Sequence, residues 1–313
     1  HADKNAQAFW YPIGENRAAC VACHSGVGYI DAVSGVSMEE RRTDYQIITC
    51  AVCHDPHDAE NPEQLRVFDS VVLPDGTDVT GAGAAATCMT CHNARTDPVA
   101  SVEGENLSLP HYSTAAELMN GVGGYTWGED LPSSLHGRIV ENTCIGCHMA
   151  TFEELPGSEG AEGGEGESEG EAMMGDFSTV GGHTFAMVSP VDGSENVAVC
   201  QDCHDDVESF AFEAQGDYDG DGAVETNQDE VAGLLELLQT ALTDNGVEVL
   251  DHHPYMAMPE DANTDLKGAA YNFKFARDDA AASHNLQYTV ALLQLSYEKV
   301  TGEVVPNAEL LTP

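Results

Sequence analysis

The chain has 313 residues, with 11 Lys+Arg against 54 Asp+Glu and a formal net charge of −43 at pH 7. A surface this negative repels phosphate backbones and anionic lipid, which excludes nucleic acid and acidic membranes as partners. No apolar run approaches the roughly 20 residues that cross a bilayer, so no membrane span is expected.

Along the chain the first recurring element is Cys-x-x-Cys-His, present five times: Cys20/Cys23/His24, Cys50/Cys53/His54, Cys88/Cys91/His92, Cys144/Cys147/His148 and Cys200/Cys203/His204. These copies use all ten cysteines. A zinc ribbon needs two Cys pairs per metal and no histidine at a fixed offset, and a disulfide framework has no use for that histidine at all. The spacing is that of c-type haem attachment. Two thiols three positions apart each form a thioether with one porphyrin vinyl group, and the next histidine ligates iron from beneath the ring. Five haem c groups are therefore expected, with His24, His54, His92, His148 and His204 as proximal ligands.

Between motifs the chain is marked by Gly, Asp and Pro, as loops are. Successive motif histidines are 30, 38, 56 and 56 residues apart, too close for a separate domain around each haem. A single pentahaem domain over residues 1–313 follows. Its expected fold is that of a multihaem cytochrome c, with irregular loops around stacked haems, a few α-helices and little β-structure. Residues 153–176 carry nine acids and no Lys or Arg, the composition of an exposed flexible insertion.

Asp217, Asp219 and Asp221 alternate before Gly222, as in the first half of a calcium loop, and Glu225, Asp229 or Glu230 can complete such a shell where Gln228 stands at the twelfth position. Calcium is a candidate second cofactor. The part from 226 to 302 is rich in helix. Val231, Leu234, Leu235, Leu238, Ala241 and Leu242 recur at helical spacing, with Asn227 and Glu230 as a capping pair and Gly246 as a stop. A second stripe of Leu286, Val290, Leu293 and Tyr297 runs from about His284 to Lys299, before Gly302. Both stripes are expected to pack on haem faces or on one another.

Six-coordinate iron needs a second axial ligand per haem, and eight histidines lie outside the motifs. His57, His111, His136, His183 and His284 make the simplest distal set, with His1, His252 and His253 as spare or inter-subunit ligands. His57 is three residues past His54 and cannot wrap to the far face of the same haem, so it is expected to serve a neighbour. Met ligation raises haem potential relative to His; with histidine abundant, mostly bis-histidine, low-potential haems are expected, and Met149 is read as packing beside its own ring.

The segments TCAVCHDPHDAENPEQLR, ATCMTCHNAR, LPHYSTAAELMNGVGGY, TCIGCHM, GGHTF and SHNLQYTVALL are similar to stretches of multihaem c-type cytochromes secreted by dissimilatory metal-reducing bacteria, over most of residues 43 to 298. That group includes cytochromes that polymerise into extracellular filaments. The resemblance implies the same five distal histidines, and a filament in which an axial histidine can come from the next subunit. The acidic insertion and the charge depart from that pattern.

The chain begins at His1 rather than Met, and haem is attached outside the cytoplasmic membrane, so export to the cell surface or medium, or to the periplasm, is expected. Electron transfer through a row of haems is the leading function, with redox proteins or extracellular metals and minerals as acceptors. A monomeric periplasmic shuttle is one alternative. A multihaem reductase of the nitrite or hydroxylamine type is another, but the altered Cys-x-x-Cys-Lys motif that often marks an open iron is not present.

Overall fold

The computed structural model describes residues 19–43, 46–61, 63–150, 180–201, 203–204, 207–250, 255–277 and 280–311. The acidic insertion and His1, His252 and His253 lie outside these ranges.

Up to residue 204 the described chain is short helices joined by loops: α1 (Val21–His24), α2 (Gly26–Val33), α3 (Cys50–Cys53), α4 (Ala85–Met89), α5 (Pro98–Val102), α6 (Ala115–Asn120), α7 (His136–Ile139) and α8 (Cys144–His148). Isolated helices of this length do not persist in water, because nucleation costs more than one or two turns return. Packing must hold them. Two small antiparallel hairpins, β1 (Ser70–Val72) with β2 (Asp78–Thr80) and β3 (Glu248–Val249) with β4 (Met256–Ala257), are the only sheets among the described residues. The architecture is thus the expected one of helices and loops with little β-structure.

The main core is built by three long C-terminal helices, α9 (Asn227–Asp244), α10 (Thr264–Arg277) and α11 (Ala281–Thr301). Leu234, Leu238 and Leu242 of α9 meet Phe273 and Phe275 of α10 and Tyr288, Leu292 and Leu293 of α11 in one apolar cluster. Ala94, Val102, Leu118 and Tyr125 join it from the preceding half, so the C-terminal helices pack on the segment that carries His111. A smaller cluster of Leu73, Ala82, Ala85, Ala86, Met89 and Ala116 lies under α4. Leu238 is fully buried, and Leu238→Ala is expected to cost about 2–5 kcal/mol. Denaturant unfolding of the haem-loaded protein measures this.

Details differ from the sequence expectations. The cap of α9 is Thr226, whose hydroxyl accepts the Asp229 amide at 3.2 Å, not Asn227. Glu230 instead turns into the preceding acidic loop and accepts the amides of Tyr218 (2.7 Å), Asp219 (3.2 Å) and Glu225 (3.1 Å). Helix α10 shows no apolar stripe because every residue from Gly268 to Ala276 is buried. Gly302 ends α11 at φ 77, as expected.

Candidate haem centres

Each motif forms about one helical turn. The amide of the motif histidine returns to the carbonyl of the first cysteine in His24→Cys20 (2.9 Å), His54→Cys50 (2.9 Å), His92→Cys88 (3.0 Å) and His204→Cys200 (2.8 Å), and α8 makes the same turn at Cys144–His148. Residues three and four apart on a helix share one face. Both cysteine sulfurs and the imidazole are therefore presented together, the geometry that a porphyrin edge and its iron require.

The fifth motif departs from the others in its surroundings. Its short 3-10 helix, Ala198–Cys200, ends at the first cysteine, and Cys203 stands in the turn beyond, where its amide donates to the Cys200 carbonyl at 3.1 Å. Cys203 is exposed, as is Cys50, whereas the other eight cysteines are half-buried. The physical reason is local, since neither apolar cluster includes a residue of 198–204 and nothing in them covers this turn. A haem anchored through Cys203 would have that edge at the surface.

Four of the expected distal histidines stand opposite motif histidines. Ring centroids are 6.2 Å apart in His24–His111, 6.2 Å in His54–His183, 5.9 Å in His204–His136 and 6.3 Å in His148–His284. An imidazole–metal bond is about 2 Å and the ring centre lies about 1.1 Å behind the ligating nitrogen, so two imidazoles on opposite faces of one metal have centroids roughly 6.2 Å apart. The pairs fit an iron between them. They do not fit ring stacking, since the interplanar angles range from 30° to 64°.

The local fold aims these rings. His54 Nδ1 donates to the Glu63 carbonyl at 2.6 Å and His148 Nδ1 to the Phe185 carbonyl at 3.0 Å, which leaves Nε2 as the metal-facing nitrogen. Phe185 is two residues past His183, so one short loop orients both a proximal and a distal ring. The preceding Gly181 has φ 76, and a Cβ there would strike the Ala150 carbonyl. The His111 amide donates to the Ala94 carbonyl at 3.0 Å, and the Ala94 amide to buried Glu117 at 2.8 Å. Helix α11 breaks at Asn285 (φ −161), immediately after His284. The Asn285 side chain accepts the Ser134 amide at 2.9 Å and donates to Ser133 Oγ at 2.8 Å and the Leu118 carbonyl at 2.9 Å. That one amide fixes His284 and the loop leading to His136. Neither Asn285 nor Glu117 belongs to a motif, and only its place beside His284 marks Asn285 in the sequence.

The remaining site residues fall as follows. His92 is half-buried, and its imidazole is held below the ordinary range by burial and then by the nearby charges of His148 and His284. His57 is exposed, its amide donating to Asp55 at 3.1 Å, and it is in none of the four pairs above. Sulfurs of different motifs also lie close together, Cys23 to Cys91 and Cys88 to Cys144. The first and fourth motifs thus both touch the third. All ten cysteines are free of disulfides. Asp217, Asp219 and Glu230 bring carboxylate oxygens within 4.8 Å of one another, as do Asp219, Asp221 and Glu225. Burial, first, and the like charges around it raise Asp219 above the usual carboxylate range.

Burial, then Arg95, His24 and Lys274, lowers His111 from 6.5 to about 4. His24, His92 and His136 move the same way, each chiefly through burial. A base with a lower value in the folded chain leaves the unfolded chain holding more protons. Its contribution to stability is complete above about 6.5 and is lost as pH falls through about 4. In the haem-free chain, where the ring is a free base, the denaturant midpoint of the part that carries His111 is expected to fall as pH drops through this window.

A family model described as cytochrome c7 and related cytochrome c matches residues 7–93, which hold the first three motifs. No curated protein and no solved structure matches the chain. Over the matched stretch the chain is similar to multihaem c-type cytochromes, which supports haem-based electron transfer. No helix among the described residues is long and apolar enough to cross a membrane.

Proposed function

We propose that the chain is an electron carrier holding five haem c groups, each ligated by two histidines. The observation that carries this is the four imidazole pairs at 5.9–6.3 Å, each joining a motif histidine to one far away in sequence. Haem, when bound, supplies an iron that takes up and releases one electron. The polypeptide does the rest: paired cysteines anchor the porphyrin edge, two imidazoles fill the axial positions so that no substrate site is left on iron, and carbonyls on Nδ1 fix the proximal rings. For the haem on His92 the distal candidates are His57 and the three histidines outside the described ranges, His1, His252 and His253.

The same reading has the protein exported and assembled head-to-tail into an extracellular filament, passing electrons to metals, minerals or redox proteins. Contacts that repeat without closing generate an open helical polymer. A charge of −43 opposes assembly, but at about 0.15 M salt its field is screened beyond roughly 8 Å, so short-range haem burial can prevail. Calcium at Asp217, Asp219, Asp221 and Glu225, with Glu230 behind them, would offset part of that charge. The test is the intact mass and haem spectrum of the native protein together with its sedimentation and electron microscopy. Five haem masses, low-spin spectra and filaments are expected. A monomer at physiological salt gives the function to a diffusible shuttle, and a high-spin, substrate-binding iron gives it to an enzyme.

A further inference from the structure

Arg95 follows His92 by three positions, and its backbone has φ 61, a left-handed conformation that long side chains seldom adopt. The turn is held from both sides. Asn93 Oδ1 accepts the Arg95 amide at 3.1 Å, and the neighbouring Ala94 carbonyl accepts the His111 amide at 3.0 Å. Arg95 is thereby fixed between two centres, a turn away from the proximal ligand of one and tied through Ala94 to the distal ligand of the other. Its Nε is buried and makes no hydrogen bond, while the ion pairs among the described residues are Arg42–Asp31 and Arg66–Asp55.

A second cation reaches the same distal ligand. Lys274 is fully buried in α10, with Nζ 3.8 Å from the ring centre of Tyr112, and that ring stands edge-on to His111 at 6.0 Å. The charges of Arg95 and Lys274 both bear on His111, and that of Arg95 also bears on His24 and His92. Basic residues beside the His54 and His136 centres are paired or solvated. Arg66, whose amide donates to Cys53 beside His54, is paired with Asp55 at 2.8 Å, and Arg138, two residues past His136, is exposed to solvent.

We propose that Arg95 and Lys274 give the haem ligated by His24 and His111 the highest reduction potential in the chain, and that Arg95 raises the haem on His92 to a smaller extent. The inference rests on the haem reading above. Taking one electron reduces the positive charge at iron by one, so a fixed cation nearby favours the reduced form, and partial burial enlarges the effect. Arginine keeps its charge at all relevant pH. The centre is then where a transferred electron comes to rest.

The experiment is a spectroelectrochemical titration of haem-loaded protein, with the haem count and low-spin spectrum read on the same samples. In Arg95→Gln two of the five one-electron components are expected to move to lower potential. The larger move is roughly tenfold in the oxidised-to-reduced ratio at fixed potential, or about 59 mV for one electron. Arg95→Lys retains the charge and is expected to stay near native. Unmoved components in Arg95→Gln with five low-spin haems overturn the proposal, as does Arg95→Lys shifting as far as Arg95→Gln, which would make the effect one of shape. If Arg95→Gln fails to take up haem, Lys274→Met carries the test, and its highest component must fall. A native haem count below five overturns the underlying haem reading instead.

Discussion

His284→Ala is expected to turn one haem of the native protein from a low-spin, six-coordinate centre into a high-spin one that binds a single equivalent of carbon monoxide. On the proposed two imidazoles per iron, the wild-type protein is expected to bind it poorly. The effect is large because His284 is the ring set opposite His148, and its loss opens that face. His284 stands on the last residue before the break in α11, facing His148 at 6.3 Å, and Asn285 holds that break with hydrogen bonds to Ser133, Ser134 and Leu118. Because Asn285 belongs to the backbone anchor rather than to the ring, the alanine variant keeps the fold while vacating the iron face. Absorption and resonance Raman spectra of the reduced protein, with and without carbon monoxide, read the result. Five unchanged low-spin haems in the variant would remove His284 from the ligand set and, with it, the argument from ring spacing.

The contrast between His284 and His57 marks how far the sequence reaches. Motif cysteines and their histidines are legible because one turn of helix brings them together, a local fact. How enclosed each thiol is, as the exposed Cys203 shows, depends on what packs over the turn and is not legible. The surplus of histidines is legible by count. Which distal ring faces which motif is not, because the pairing depends on contacts far apart in sequence, such as His148 Nδ1 on the Phe185 carbonyl and Asn285 on the 133–134 loop. The structure sets His183 opposite His54, and His57 is exposed, surroundings that counting residues along the chain does not reveal. Helix α10 is silent for a related reason. A stripe marks a helix with a wet side, and α10, with even Lys274 fully buried, has none over most of its length. The cap of α9 lies one residue before the expected one because Thr226 and Asn227 are both good caps, and only the position of the acidic loop, held by Glu230, decides between them.

A chain made without haem, through replacement of all ten cysteines by serine, is expected to separate into an ordered and a disordered part rather than to unfold as a whole. Helices α9–α11 bury leucine, phenylalanine and tyrosine side chains against one another, and that cluster extends to Ala94, Val102, Leu118 and Tyr125. These contacts are made between side chains of the chain itself. The segments on either side are built otherwise. Helices α1, α3 and α8 are four or five residues long, and the small cluster under α4 is mostly alanine, which buries little apolar area. Such turns persist only when something large and apolar fills the space between them, and in the native protein covalently attached haem does so. Limited proteolysis of the serine variant is therefore expected to cut within 19–93 and 136–204 while sparing 94–131, 214–250, 255–277 and 280–311. Its far-UV circular dichroism should retain the signal of the three long helices and still melt cooperatively. Loss of all helical signal would mean that the C-terminal core depends on haem as much as the motifs do. Protection throughout would mean that the polypeptide, not the porphyrin, orders the haem-bearing loops.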